Sequence, residues 1–113
     1  MQTRVYISLE AQYFLESAGQ NIDLARKRRK LRIEDVCRRA RITPQTYRRL
    51  RDGESGVGVG VLISVLQVLS LGDHYGDIAD PVRDKVGLDL AKLVHNQKKR
   101  IKLGVLDEPS TDF

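Results

Sequence analysis

Residues 31–53 read LRIEDVCRRARITPQTYRRLRDG, and their pattern decides the fold. Thr43-Pro44 is a strong helix start. A Thr side chain accepts from the amides of the first turn, and Pro suits the first helical position, whose N–H has no intrahelical acceptor. Ahead of it, Ile33 to Arg39 predicts a short helix with Val36 and Ala40 inward. So few residues join the two helices that the chain must turn a sharp corner, which needs a small side chain where they cross. Cys37 fits there as a compact hydrophobe. The helix opened by Thr43 turns Tyr47 and Leu50 inward and ends at Asp52-Gly53. At about 100° per residue, Gln45, Arg48, Arg49 and Asp52 share its outward face.

Outward from this corner the pattern stays helical. Leu15, Ala18, Ile22 and Ala25 predict a first helix from about Leu9 to Lys30, with Ser8 as a cap and Leu31 closing it. Its end, Arg26–Lys30, sets cations at the negative pole of the helix dipole. After a glycine-rich turn at Glu54–Gly58, Leu62, Val65, Leu66 and Leu69 predict a helix over Val59–Ser70. A fifth is expected over Asp73–Ala79. Asp80-Pro81 then reads as a new start leading through Val82, Val86, Leu90, Leu93 and Val94 towards Gln97. Gly87 costs about 1 kcal/mol against Ala and is a candidate break. Val5, Ile7 and Leu9, and Ile101, Leu103 and Val105, alternate with other residues and suggest short terminal β-strands. The expectation is an all-α fold: an N-terminal arm and helix start over 1–14, a helical domain over 15–80, and a C-terminal helix and acidic tail over 81–113.

The chain has 113 residues, which is one domain of ordinary size, with 41% hydrophobic residues and no Trp, so its core must be aliphatic. One cysteine excludes an intramolecular disulfide and fits a reducing compartment. With no apolar run near the ~20 residues that span a bilayer, the sequence predicts a soluble, cytoplasmic protein without membrane contact. The net charge of +5 is unevenly spread: residues 26–51 carry twelve Lys/Arg against Glu34 and Asp35, while the segments before and after are acidic on balance. That block can attract phosphate or an acidic surface.

Enzymatic chemistry finds no footing. Gly56-Val57-Gly58-Val59-Gly60 approaches a dinucleotide fingerprint, but Val61 breaks it and a helix precedes it, not a strand. Gly53-Glu54-Ser55-Gly56-Val57 misses the nucleophile-elbow pattern at its last position. His74 and His95 have no neighbouring cysteine and no ligand spacing, so no metal and no cofactor is expected. DNA reading fits better. Gln pairs with adenine and Arg with guanine, and the first amides of the Thr43 helix can hold phosphate.

The run Gln20-Asn21-Ile22 through Leu31, then Glu34-Asp35-Val36, Ala40, Ile42-Thr43-Pro44, Thr46, Arg49-Leu50 and Gly53, resembles the five-helix, lambda-repressor-like DNA-binding domain of Cro/phage-repressor-type (Xre) regulators. The resemblance covers roughly 15–80. It implies a helix-turn-helix homodimer on a palindromic operator in double-stranded DNA, with Pro44, Gln45 and Arg49 reading bases. It likewise implies backbone contacts from Arg26, Arg29, Arg32, Arg41, Thr43, Thr46 and Arg48. More loosely, Gly56-Val57-Gly58, Ala79-Asp80-Pro81, Asp84-Lys85-Val86-Gly87 and Lys99-Arg100-Ile101-Lys102 resemble HipB-like antitoxins, which repress their own operon and bind a HipA-type kinase toxin. That adds a toxin partner, with Phe113 in the acidic tail as a possible anchor. The alternatives are a protein-interaction antitoxin or adaptor that holds DNA weakly and without selectivity, and a stand-alone phage-type repressor. Four positions depart from the family pattern. Arg32 and Ile33 replace a Ser/Thr cap and a Gln, Arg41 stands at a glycine corner, and Arg51 replaces the Glu that pairs with the Arg of the first helix, here Arg26.

Overall fold

In the computed structural model, residues 5–73 and 75–102 are described. The chain divides into two compact units, Met1–Tyr75 and Gly76–Phe113. Among the described residues the regular structure is five α-helices and one 3-10 turn, with no strand.

The first unit holds α1 (Leu9–Arg28), α2 (Ile33–Ala40), α3 (Pro44–Arg51) and α4 (Val59–Val68). Ser8 caps α1, its Oγ accepting from the Ala11 N–H at 3.1 Å. Thr43 does the same for α3 through the Thr46 N–H, also at 3.1 Å, with Pro44 in the first turn. The core gathers Ile22 and Ala25 of α1, Val36 and Cys37 of α2, Tyr47 of α3, and Val65 and Leu69 from α4 and its end. Leu50, Leu62 and Leu66 pack around it, half-buried. Cys37 lies in this core, and burial pushes its thiol up, as suits a packing residue.

The inward stripe of α1 begins later than expected. Leu15 and Ala18 are exposed, whereas Gly19 is buried. A Cβ on Gly19 would run into the backbone carbonyls of Leu50 and Arg51, so α3 crosses α1 on bare backbone. Gly53, at φ +78°, brings the end of α3 against the Glu16 backbone, where a Cβ would sit at 2.7 Å. Three other turns of the first unit use the same left-handed geometry without glycine: Lys30, Arg41 and Ser70, with φ between 56° and 58°. Behind Lys30, the Leu31 N–H reaches back to the Arg26 carbonyl; behind Ser70, that of Leu71 reaches the Leu66 carbonyl. These bonds satisfy carbonyls that a helix end leaves open.

Four sequence expectations are corrected. The helix expected over Asp73–Ala79 is a single 3-10 turn, Tyr75–Asp77, followed by Ala79 at φ 56°. Asp80-Pro81 starts no helix: Asp80 Oδ1 accepts from the Val82 N–H at 3.0 Å and closes a local turn. In the second unit α5 (Lys85–Lys102) begins behind Asp84, whose Oδ1 accepts from the Gly87 N–H at 2.9 Å. Gly87 therefore lies in the first turn, under a cap, and does not break the helix. The terminal strands do not form among the described residues. Leu9 opens α1 and Ile101 belongs to the last turn of α5, because the longer helical stripes outweigh three alternating positions. His74, Leu103, Val105 and Phe113 fall outside the described residues. No described helix is long and apolar enough to cross a membrane.

Candidate nucleic-acid interface

The α2–α3 corner turns on Arg41, at φ 58° and ψ 46°, with the Ile42 N–H bonded to the Cys37 carbonyl at 3.0 Å. A non-glycine residue there costs roughly 1–2 kcal/mol, so the turn keeps its tight form at the expense of some strain. In exchange a guanidinium stands at the corner, exposed and with no carboxylate partner among the described residues. Arg48, on α3, is likewise exposed and unpaired. Pro44 and Gln45 are exposed at the start of α3. The hydroxyls of Thr43 and Thr46 lie 3.0 Å apart, so Thr46 is tied to the cap.

Arg49 is less free than its outward position predicts. Its side chain is 30% exposed, and its Nε is buried without a hydrogen-bond partner, 3.9 Å from Oε2 of Glu54. One edge of the guanidinium is thus turned towards the α3–α4 loop. Arg29 is exposed, with Nη1 donating to the Ala25 carbonyl at 2.9 Å.

Arg32 is exposed but engaged. Its backbone N–H donates to Asp35 Oδ2 at 2.9 Å, and its side chain lies 3.4 Å from Asp35 and 3.9 Å from Glu34. This pairing raises the Arg32 guanidinium, and the Arg32 backbone and side-chain bonds lower Asp35. Asp35 also holds Arg38 at 3.3 Å. A cation stands where the family resemblance implies a hydroxyl cap. Asp35 supplies only the reciprocal half of a capping box, accepting from the Arg32 N–H, and no side-chain cap to the first-turn amides is seen among the described residues.

Arg26 departs furthest from expectation. Its side chain is only 12% exposed, and its donors point inward: Nε to Asp23 and Tyr47, Nη1 to the Leu31 carbonyl at 2.8 Å, Nη2 to Asp23 at 3.0 Å. The guanidinium also lies 5.9 Å from the centre of the Tyr47 ring. It holds α1, α3 and the turn after α1 together, so Arg26 is withdrawn from the phosphate-contacting set. Arg51, at the end of α3, pairs through Nε with Asp52 Oδ1 at 3.0 Å and lines a shallow hollow with Asp23 and Lys27. The partner missing from the end of α3 is supplied by Asp23, one turn before Arg26 on the same helix. The three-residue spacing was the available signal.

The corner thus brings together Arg41, Thr43, Pro44, Gln45, Thr46 and Arg48, with Arg49 half-withdrawn at its edge. Arg39, exposed at the end of α2 and without a described ion-pair partner, adds a cation that sequence reasoning passed over. No family model, curated protein or solved structure matches this chain.

Proposed function

We propose that this protein is a sequence-specific DNA-binding repressor that acts as a homodimer on a palindromic site upstream of its own gene. The observation that carries the reading is the corner. A Thr43-capped helix presents Pro44, Gln45 and Arg48 to solvent directly after the unpaired Arg41. An exposed helix start with a polar, hydrogen-bonding face and flanking cations is the shape that enters a major groove. In this reading Gln45 and Arg49 read bases, with Pro44 beside them, and Arg29, Arg41, Thr43 and Arg48 hold phosphates. Arg32 joins them when phosphate displaces its carboxylate partners, and Thr46 steadies the cap. No step calls for catalytic chemistry or a cofactor.

The resemblance to HipB-like antitoxins extends the proposal to a HipA-type kinase toxin as protein partner, with the acidic end around Phe113 as its contact.

The test is binding to the DNA upstream of the gene against a shuffled duplex of equal length, at about 150 mM salt, where non-specific attraction is screened. A preference of about a thousandfold or more is the expected result. Equal, weak binding to both would overturn it and leave the protein-interaction reading, which co-purification of a larger partner would then support.

A further inference from the structure

Glu54 follows the end of α3 and goes unused by the DNA reading. Its place is fixed by the way that helix ends. The Glu54 N–H donates to the Arg49 carbonyl and the Gly53 N–H to the Leu50 carbonyl, both at 3.1 Å, a paired ending that Gly53 permits at φ +78°. The turn is then tied to the N-terminal part of the chain. Gln12 Nε2 donates to the Gly53 carbonyl at 2.9 Å. The Ser55 hydroxyl donates to the Val5 carbonyl at 2.7 Å and accepts from the Val5 N–H at 3.3 Å. Residues 53–55 therefore form a held platform, from which Glu54 brings Oε2 to 3.9 Å from Arg49 Nε.

We propose that Glu54 is a positioning residue that sets the base selectivity of Arg49, a role that rests on the DNA reading above. Nε is the Arg49 donor shielded from solvent and turned to the carboxylate. Any base contact is thus left to the two Nη groups, whose parallel N–H bonds match O6 and N7 of guanine. A guanidinium without this hold is free to swing to the nearest phosphate, a contact that carries no sequence information. With the hold in place, less rotamer freedom is lost on meeting a base. The carboxylate also sets a negative charge beside Arg49. That charge opposes a phosphate at the same place and leaves the uncharged guanine edge as the better partner. Glu54 therefore exchanges some affinity for selectivity.

The experiment compares wild type, Glu54→Gln, Arg49→Ala and the double variant at about 150 mM salt. Each is titrated with the upstream duplex, a series with single base pairs changed in turn, and the shuffled duplex. Glu54→Gln keeps the size of the side chain and removes its charge. It is expected to lose selectivity by about three- to tenfold at the one base position that Arg49→Ala affects, while binding to the shuffled duplex does not fall. In the Arg49→Ala background it is expected to change selectivity no further. Unchanged selectivity in Glu54→Gln, or a loss that persists without Arg49, would overturn the inference. Equal weakening on all duplexes would overturn it too, as the mark of a disturbed loop. A readout without DNA separates this role from the repressor reading. The Arg49 Nε–H, followed by nitrogen NMR, should exchange with water more slowly in wild type than in Glu54→Gln. Equal exchange would overturn the hold even where the protein reads DNA selectively. Slower exchange in a wild type that prefers no duplex would overturn the repressor reading, and the selectivity role with it.

Discussion

The Tyr47 hydroxyl of α3 donates a 2.8 Å hydrogen bond to Oδ1 of Asp23 on α1, the oxygen that also accepts from Arg26 Nε at 3.0 Å. One carboxylate oxygen thereby joins two helices and neutralises a nearly buried cation. Burial pushes the Asp23 carboxyl up, but the bonds from Arg26 and Tyr47 and the Arg26 charge outweigh it, and the net direction is down. Burial, reinforced by the bond to Asp23, pushes Tyr47 up to about 12.

The pH dependence follows from those directions. Tyr47 holds its proton more tightly folded than unfolded, so its contribution is full below about pH 10 and is lost as pH rises towards 12. Asp23 has the opposite sign: its contribution is present above the ordinary carboxylate range and lost as pH falls below it. Urea denaturation of wild type and Tyr47→Phe at pH 8 and pH 11 isolates the first effect. At pH 8 the variant is expected to be less stable by about 1–3 kcal/mol, having lost a buried donor. The gap should narrow at pH 11; a constant gap would mean that the hydroxyl does not titrate in this range.

Gly19 should tolerate no side chain. α3 passes so close that a Cβ there meets the backbone carbonyls of Leu50 and Arg51, and backbone cannot swing aside as a side chain can. Gly19→Ala raises helix propensity by about 1 kcal/mol, so on a free surface it would stabilise. Here overpacking of roughly 1–3 kcal/mol or more should dominate and lower the melting temperature. A stabilised variant would show that α1 and α3 stand further apart.

The helices around the corner were legible because their signals are local. Thr43-Pro44 states its own cap, and the Ser8 and Gly53 boundaries follow from single residues whose chemistry suits one place. The Asp80-Pro81 signal is just as local and misled, because Asp84 offers a competing cap in front of Gly87 that composition does not rank. The fate of Arg26 was illegible for a different reason. Exposure depends on where α3 lies, and an arginine in a basic run looks like its neighbours until Tyr47 and the Leu31 carbonyl come within reach. Leu15 and Ala18 misled likewise, since the periodic stripe is real but α3 packs on Gly19 beside it.

Arg41 trades backbone strain for charge. At φ 58° glycine is the relaxed choice, and relief of roughly 1–2 kcal/mol is partly offset by glycine's greater freedom when unfolded. Arg41→Gly is therefore expected to raise stability by up to about 1 kcal/mol. On the proposed DNA reading it should also weaken binding to every duplex alike, because the cation at the corner is lost. Thermal melts and titrations on two unrelated sequences check both halves. Unchanged DNA affinity would place the corner outside the phosphate footprint.

Arg48 and Arg26 should separate cleanly, although both lie in the same basic block. Arg48 is exposed and has no ion-pair partner among the described residues, so on the proposed reading Arg48→Ala should lower the slope of log K against log salt by about 0.9 with little change in melting. Arg26 has its donors turned inward at 12% exposure, so Arg26→Ala should leave that slope unchanged and cost stability of about 3 kcal/mol or more, since Asp23 is left buried with fewer partners. Arg49→Ala differs from both. If Arg49 reads a base as proposed, its loss should relax selectivity at one position by about 1–3 kcal/mol, and its partial hold on the loop adds a smaller stability loss. The comparison needs three variants, two salt concentrations and one mismatched duplex series. A salt slope that falls for Arg26→Ala would return that residue to the DNA surface, and uniform weakening for Arg49→Ala would make it a phosphate contact.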